Sequence, residues 1–197
     1  MQFELMLPTT RKFPFSDPGW IFEPKWDGYR ALCLIEHDSV RFMSRNKKEL
    51  TKRFPELSTI NKSIKADSAI LDGEIVALDE NNVPCFQKLQ NRKQCNIVYC
   101  VFDCLMLNGN DLRNEPLIIR KKVLKQILKE SPRIEYTDHV VENGMKLFMT
   151  VEKLGLEGIV GKKADSRYVG GRTKEWLKIK TRAGIEVMEK RVETWGR

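Results

Sequence analysis

The run Ala69-Ile70-Leu71-Asp72-Gly73-Glu74-Ile75-Val76-Ala77-Leu78 is apolar and β-prone, yet it carries two acids at its centre. It reads as a buried strand, and an acid inside such a strand is costly unless it is paired or bound to a metal or ligand. Glu74 therefore has a task, either as the buried partner of Arg30 or a lysine, or in chemistry. A second buried-looking strand, residues 97–107, ends at the turn Asn108-Gly109. Phe102 stands near its middle, where core packing and stacking on a base are both open.

Glu23-Pro24-Lys25-Trp26-Asp27-Gly28-Tyr29-Arg30 sets an amine among β-prone flanks, residues 20–22 and 31–35. Asp27-Gly28 is turn chemistry, since Gly accepts positive φ and Asp can bond its own backbone. Lys25 then sits at the mouth between two strands on a hydrophobic floor. Partial desolvation there favours the neutral, nucleophilic amine. A hairpin with a surface salt bridge between Lys25 and Asp27 is the plainer alternative.

Val40-Arg41-Phe42-Met43-Ser44 is expected to return as the next arm of a meander. Arg45 at its end can present its fork to a phosphate, or stand as a solvated turn arginine. Residues 50–64 are expected as a helix with Pro55 near its start or dividing it, and residues 86–92 as a short helix bearing Lys88 and Arg92. The clearest helix is 117–129, where Ile119, Val123 and Ile127 recur at i+4. Its Arg120, Lys121, Lys122, Lys125 and Lys129 are expected on a solvated face. Another helix, 144–154, stops at Gly155. Residues 156–163 form a strand with Glu157 at its mouth, and 166–174 a loop rich in Gly and Arg. Residues 176–180 alternate strictly, so Lys178 and Lys180 share one face and repel each other unless an anion sits between them.

No run approaches the ~18 to 20 apolar residues of a membrane span, and the N-terminus has no signal-peptide pattern. The five cysteines are odd in number and lack C-x-x-C spacing, which points to reduced thiols in a cytoplasmic setting rather than to zinc. The net charge of +8, from 35 Lys and Arg against 27 Asp and Glu, favours a polyanionic partner, with no membrane involved. Cations and acids spread over several strand ends suit a nucleotide phosphate with its divalent metal. The sequence holds neither a P-loop nor a dinucleotide-binding glycine fingerprint, so the reactive candidate is the amine of Lys25.

In chain order, residues 23–30, Ser44-Arg45-Asn46, Asp72-Gly73-Glu74, residues 157–162 and Lys178-Ile179-Lys180 resemble the five collinear motifs of covalent nucleotidyltransferases. Longer stretches, Val101-Phe102-Asp103 with 107–113, 156–163 and 176–180, resemble the ATP-dependent DNA ligases, especially the ligase part of bacterial end-joining ligases. The resemblance implies an α+β adenylation domain of two antiparallel sheets with flanking helices and ATP in a groove between them. It also implies magnesium or manganese, nicked double-stranded DNA as partner, and work in DNA repair and recombination, near the nucleoid in a bacterium. By motif position, Lys25 would attack the α-phosphate of ATP to give lysyl-AMP. The AMP would pass to the 5′-phosphate of a nick, and the 3′-hydroxyl would displace it. Glu23 would read the adenine amino group and Phe102 would stack on the ring. Arg30 and Glu74 would hold the ribose side, and Arg45 the phosphates. Glu157, with Glu74, would place the metal, while Lys162, Lys178 and Lys180 would contact the α-phosphate and its transition state.

In such ligases an oligonucleotide-binding domain follows the paired-lysine strand. Here residues 1–182 are expected to be the adenylation domain and 183–197 a tail, too short for a five-stranded barrel. The second domain is expected to be absent from these residues, either because they are one domain of a longer protein or because the protein lacks it, and a separate DNA-binding domain or protein is a candidate partner. An RNA ligase or capping-type transferase uses the same lysine chemistry, and the basic charge alone also permits a non-catalytic nucleic-acid-binding module.

Overall fold

The computed structural model describes residues 4–80, 83–91, 95–129 and 131–195, with side chains described as far as residue 189. Strand β1 (Met6–Thr10) precedes β2 (Trp20–Pro24), and β3 (Tyr29–Glu36) turns into β4 (Ser39–Ser44). Three 3-10 turns, Thr51–Arg53, Pro55–Leu57 and Ile60–Ser63, lead to β5 (Ser68–Leu78). Then come α1 (Phe86–Asn91), β6 (Asn96–Leu107), β7 (Asn110–Asp111), α2 (Leu117–Ile127), β8 (Ile134–Tyr136) and β9 (Val140–Val141). The remaining elements are α3 (Gly144–Lys153), β10 (Gly158–Lys163), β11 (Gly171–Lys180) and α4 (Arg182–Trp195). This is the expected α+β class, with one sheet in each of two compact units.

The first unit comprises Asp27–Thr137 and Asp165–Gly170, with Glu4 and Leu5. Its sheet runs β4-β3-β5-β6-β7, and β8 joins β6 in parallel, a departure from a purely antiparallel sheet. Alternate residues face the core: Ala31, Cys33 and Ile35 of β3, Leu71, Ile75 and Ala77 of β5, and Ile97, Tyr99 and Val101 of β6. Gly73 lets Tyr99 lie close beneath β5, because a Cβ there would stand 2.7 Å from the tyrosine ring. The pairing of β5 with β6 slips between Asp72 and Gly73, leaving Phe102 without an opposing residue. Such a bulge re-aims a side chain.

Two expected helices come out differently. Residues 50–64 form the three 3-10 turns, because Pro55 has no N–H to continue an α-helix. Phe54, Leu57 and Ile60 are buried at a spacing of three, the period of a 3-10 helix. In α2 the buried residues are Leu117, Arg120, Lys121, Leu124 and Ile127, while Ile119 is exposed. Arg120 and Lys121 turn inward because β6 offers them buried oxygens. Helix α1 ends its described part at Asn91, so the expected Arg92 lies outside the described residues.

The second unit comprises Met6–Trp26, Asp138–Ala164 and the chain from Gly171 onward. Its sheet runs β1-β11-β10-β2-β9, with β1 and β11 parallel and the other pairs antiparallel. One face is apolar: Phe22, Ile159 and Ile179 meet Val151 of α3, with Phe15, Trp20, Leu147 and Phe148 around them. Helix α3 ends as expected before Gly155, whose φ of 66° suits glycine. Strand β11 starts earlier than its alternation suggested, since pairing with β1 carries it back to Gly171. Residues expected only as a tail form α4. Among the described residues no helix is long and apolar enough to cross a membrane.

Candidate active site

The face of the second unit's sheet opposite α3 is where its charged residues collect. Register sets Glu23, Val160 and Lys178 in one row, Ile21, Lys162 and Trp176 in the next, and Gly158 opposite Lys180. The expected alternation of β11 therefore holds, and Lys178 and Lys180 share their face with Glu23 and Lys162. The Lys162 ammonium pairs with the Glu23 carboxylate at 2.5 Å and lies 4.2 Å over the Trp176 ring. Both charged side chains are only 2% exposed, so this pair is tightly coupled in low dielectric.

Lys25 follows β2, its backbone N–H donating to the Gly158 carbonyl at 2.8 Å. Its ammonium donates to Glu157 Oε2 at 2.6 Å, which makes Glu157 an ion-pair partner of Lys25. Lys180 approaches the other oxygen of Glu157 at 3.5 Å. Glu157 is thus the anion that the paired-lysine strand required. Burial, and then the charges of Lys25, Lys180 and Arg172, push the Lys178 pKa below the usual lysine range, partly offset by Glu157. Glu157 thus takes two ammonium groups, and Lys178 adds its charge nearby, an excess of positive charge that suits a polyphosphate.

The first unit contributes a second cluster. Arg30 on β3 lies opposite Glu74 on β5, but its guanidinium forks Asp72, Nε to Oδ1 at 3.0 Å and Nη2 to Oδ2 at 2.7 Å. The Tyr168 hydroxyl donates to the same Oδ2 at 2.5 Å, and Asp72 is fully buried. Burial opposes the charge on Arg30, yet Asp72, helped by Tyr168 and Glu74, raises its pKa and keeps it protonated. The guanidinium also sits 5.1 Å over the ring of Phe102, the bulge residue. Arg30, Glu74 and Phe102 are therefore brought together. Arg45 stands apart on the turn after β4, exposed to solvent.

Several of these groups were missed in the sequence. Asp72 carried the same signal as Glu74, an acid in an apolar run, and it is Asp72 that takes Arg30. Tyr168 lay in a stretch expected to be a loop. Asp103 holds Arg120 with two bonds of 2.8 Å, both residues having fully buried side chains. Arg120 also donates to the Ser166 carbonyl at 2.9 Å, which ties down the segment bearing Tyr168. Lys121 donates to the Thr137 carbonyl at 3.0 Å.

Among the described residues no three His, Cys, Asp or Glu side chains stand together as metal ligands. Magnesium commonly keeps its waters and takes one or two carboxylates plus substrate phosphates, so such an ion asks for little more from the protein than a carboxylate such as Glu157.

A family model described as the ATP dependent DNA ligase domain matches residues 9–180. The multifunctional non-homologous end joining protein LigD of Pseudomonas aeruginosa is 36% identical over 167 residues, covering 82% of this chain and 20% of that protein. The SPbeta prophage-derived DNA ligase-like protein LigB of Bacillus subtilis is 33% identical over 180 residues, covering 88% and 66%. The chain thus spans about a fifth of the length of the LigD proteins it matches. Among solved structures, a mycobacterial DNA ligase D complexed with ATP and MES superposes with a TM-score of 0.81 at 33% identity, over 90% of this chain and 60% of that one. The ligase domain of Mycobacterium tuberculosis LigD gives a TM-score of 0.80 at 33% identity, over 90% and 59%.

Proposed function

This chain belongs to the ATP-dependent DNA ligase domain family, and from that we propose that it is an adenylating domain whose Lys25 carries AMP to nicked DNA. The observation that bears most weight is the Lys25 amine, 2.6 Å from a Glu157 carboxylate whose other oxygen lies 3.5 Å from Lys180. Attack by the neutral amine forms a P–N bond at the α-phosphorus of ATP. Pyrophosphate leaves with the electron pair of the broken P–O bond, and the proton lost from the amine passes by way of Glu157 to water. Lys178 and Lys180 offset the charge that builds on the phosphate oxygens. In the later steps AMP moves to the 5′-phosphate of a nick and the 3′-hydroxyl displaces it.

Arg30 and Glu74 are assigned the ribose side, Phe102 the base and Arg45 the phosphates, with Glu23 at the adenine amino group and Lys162 at the α-phosphate. Prior fixation of Arg30 by Asp72 supports this, because a forked arginine loses little freedom when it takes up a ligand. Magnesium or manganese would be held through Glu157 and would supply positive charge to the phosphates. The cytoplasm, with reduced thiols, is the setting that agrees with repair of nicked DNA. Sealing tests the substrate directly: nicked DNA and nicked RNA of one sequence are offered with ATP and magnesium. Ligated DNA with RNA left open is expected. Preferential sealing of RNA would move the chain to the RNA ligases.

A further inference from the structure

We infer that Thr181 and Gly184, at the start of α4, are positioning residues that fix the Glu157 carboxylate and through it the Lys25 amine; this rests on Lys25 being the adenylated group. The two peptide carbonyls that flank the Glu157 Cα are both held by Thr181. Its hydroxyl donates to the Leu156 carbonyl at 2.6 Å, and its backbone N–H donates to the Glu157 carbonyl at 3.1 Å. Thr181 is 1% exposed, so neither bond competes with water. The Gly184 N–H donates back to the Thr181 hydroxyl at 3.2 Å, which orients that hydroxyl toward Leu156.

Gly184 itself lies hard against the acid's backbone. A Cβ there would stand 2.0 Å from the Glu157 carbonyl oxygen and 3.1 Å from its Cα. The Gly184 carbonyl also accepts from Lys180 at 3.4 Å, and the same ammonium lies 3.5 Å from Glu157 Oε1. Ordinary helix capping accounts for the bond from the Gly184 N–H to the Thr181 hydroxyl. It does not account for the hydroxyl's bond to Leu156, nor for a bare Cα against Glu157 in a helix where alanine is the better former. Both features act on the residue that holds the Lys25 amine.

Thr181→Val, Thr181→Ser and Gly184→Ala separate positioning from mere folding. Single-turnover adenylation and ATP affinity are measured on each, with melting temperature. In parallel, trace acetic anhydride labels lysines without nucleotide, and Lys25 is read by mass spectrometry against exposed Lys65. Thr181→Val and Gly184→Ala are expected to slow adenylation by about 10- to 100-fold, the cost of a small misplacement. ATP affinity should stay within about threefold, since ground-state binding is untouched, and Thr181→Ser should recover the native rate. Lys25 labelling should rise severalfold in Thr181→Val and Gly184→Ala and stay native in Thr181→Ser. Gly184→Ala is expected to lower the melting temperature as well, because its Cβ meets the Glu157 backbone at 2.0 Å, so rates and labelling are read well below each variant's melting temperature, where native labelling of Lys65 shows the fold intact. Native adenylation and native Lys25 labelling in both variants would overturn the proposal. Altered labelling in a chain that never forms an adduct would uphold the positioning role and overturn the function assigned to Lys25.

Discussion

Glu157 serves two ammonium groups at once, Lys25 at 2.6 Å and Lys180 at 3.5 Å, while Lys178 is left with a lowered pKa. Glu157→Ala should therefore slow single-turnover adenylation by about 100-fold, the scale of one preorganised electrostatic contact. A native rate would remove Glu157 from the chemistry. Lys178 makes the opposite kind of case. Its folded pKa lies below the free value, first through burial and then through neighbouring cations. Its charge thus costs stability below the folded pKa, and the cost disappears as pH rises to the free-lysine value near ~10.4. Lys178→Met should raise the melting temperature at neutral pH, with the gain shrinking toward that value, while adenylation is lost. A melting temperature that falls at neutral pH would show Lys178 to be a structural residue. These positions were legible because a charge in an apolar or strictly alternating run is costly and so marks itself. Tyr168 carried no such mark, since its partner Asp72 lies 96 residues away and the contact exists only in the fold.

At the level of elements, α2 shows how a charged helix face misleads. Arg120 and Lys121 look solvated in sequence, yet Arg120 is buried against Asp103 of β6 and Lys121 against the Thr137 carbonyl. Periodicity locates a helix, but only the strand behind it decides which face goes in. Arg120→Met should cost about 3–5 kcal/mol, because Asp103 is left charged and buried without its partner. Adding Asp103→Asn should return part of that loss, and urea titration of the single and double variants measures both. A double variant no more stable than Arg120→Met would argue against the uncompensated charge as the cause. The strands β5, β6, β10 and β11 were readable from their apolar runs or alternation. The bulge that turns Phe102 toward Arg30 was not, since one extra residue in a ladder leaves no trace in hydrophobic pattern.

Across the whole molecule the candidate residues divide between the two units within one motif. Lys25 belongs to the second and Arg30 to the first, and the chain changes units between Trp26 and Asp27. The net charge of +8 suits binding of nicked duplex through phosphates. For about four neutralised phosphates, affinity should fall on the order of 100-fold between ~50 and ~200 mM salt. Fluorescence anisotropy on a nicked duplex checks this, and a salt-independent affinity would argue against a phosphate footprint. The chemistry itself is tested most directly by locating the adduct. The chain is incubated with magnesium and ATP labelled at the α- or the γ-phosphate, denatured, and digested for tandem mass spectrometry, with Lys25→Arg alongside. Label from the α-position alone, as AMP on the Lys25 side chain and absent from Lys25→Arg, is expected, because a guanidinium stays protonated and cannot attack phosphorus. AMP on another residue, or an adduct undiminished in Lys25→Arg, would contradict the assignment of Lys25 as nucleophile.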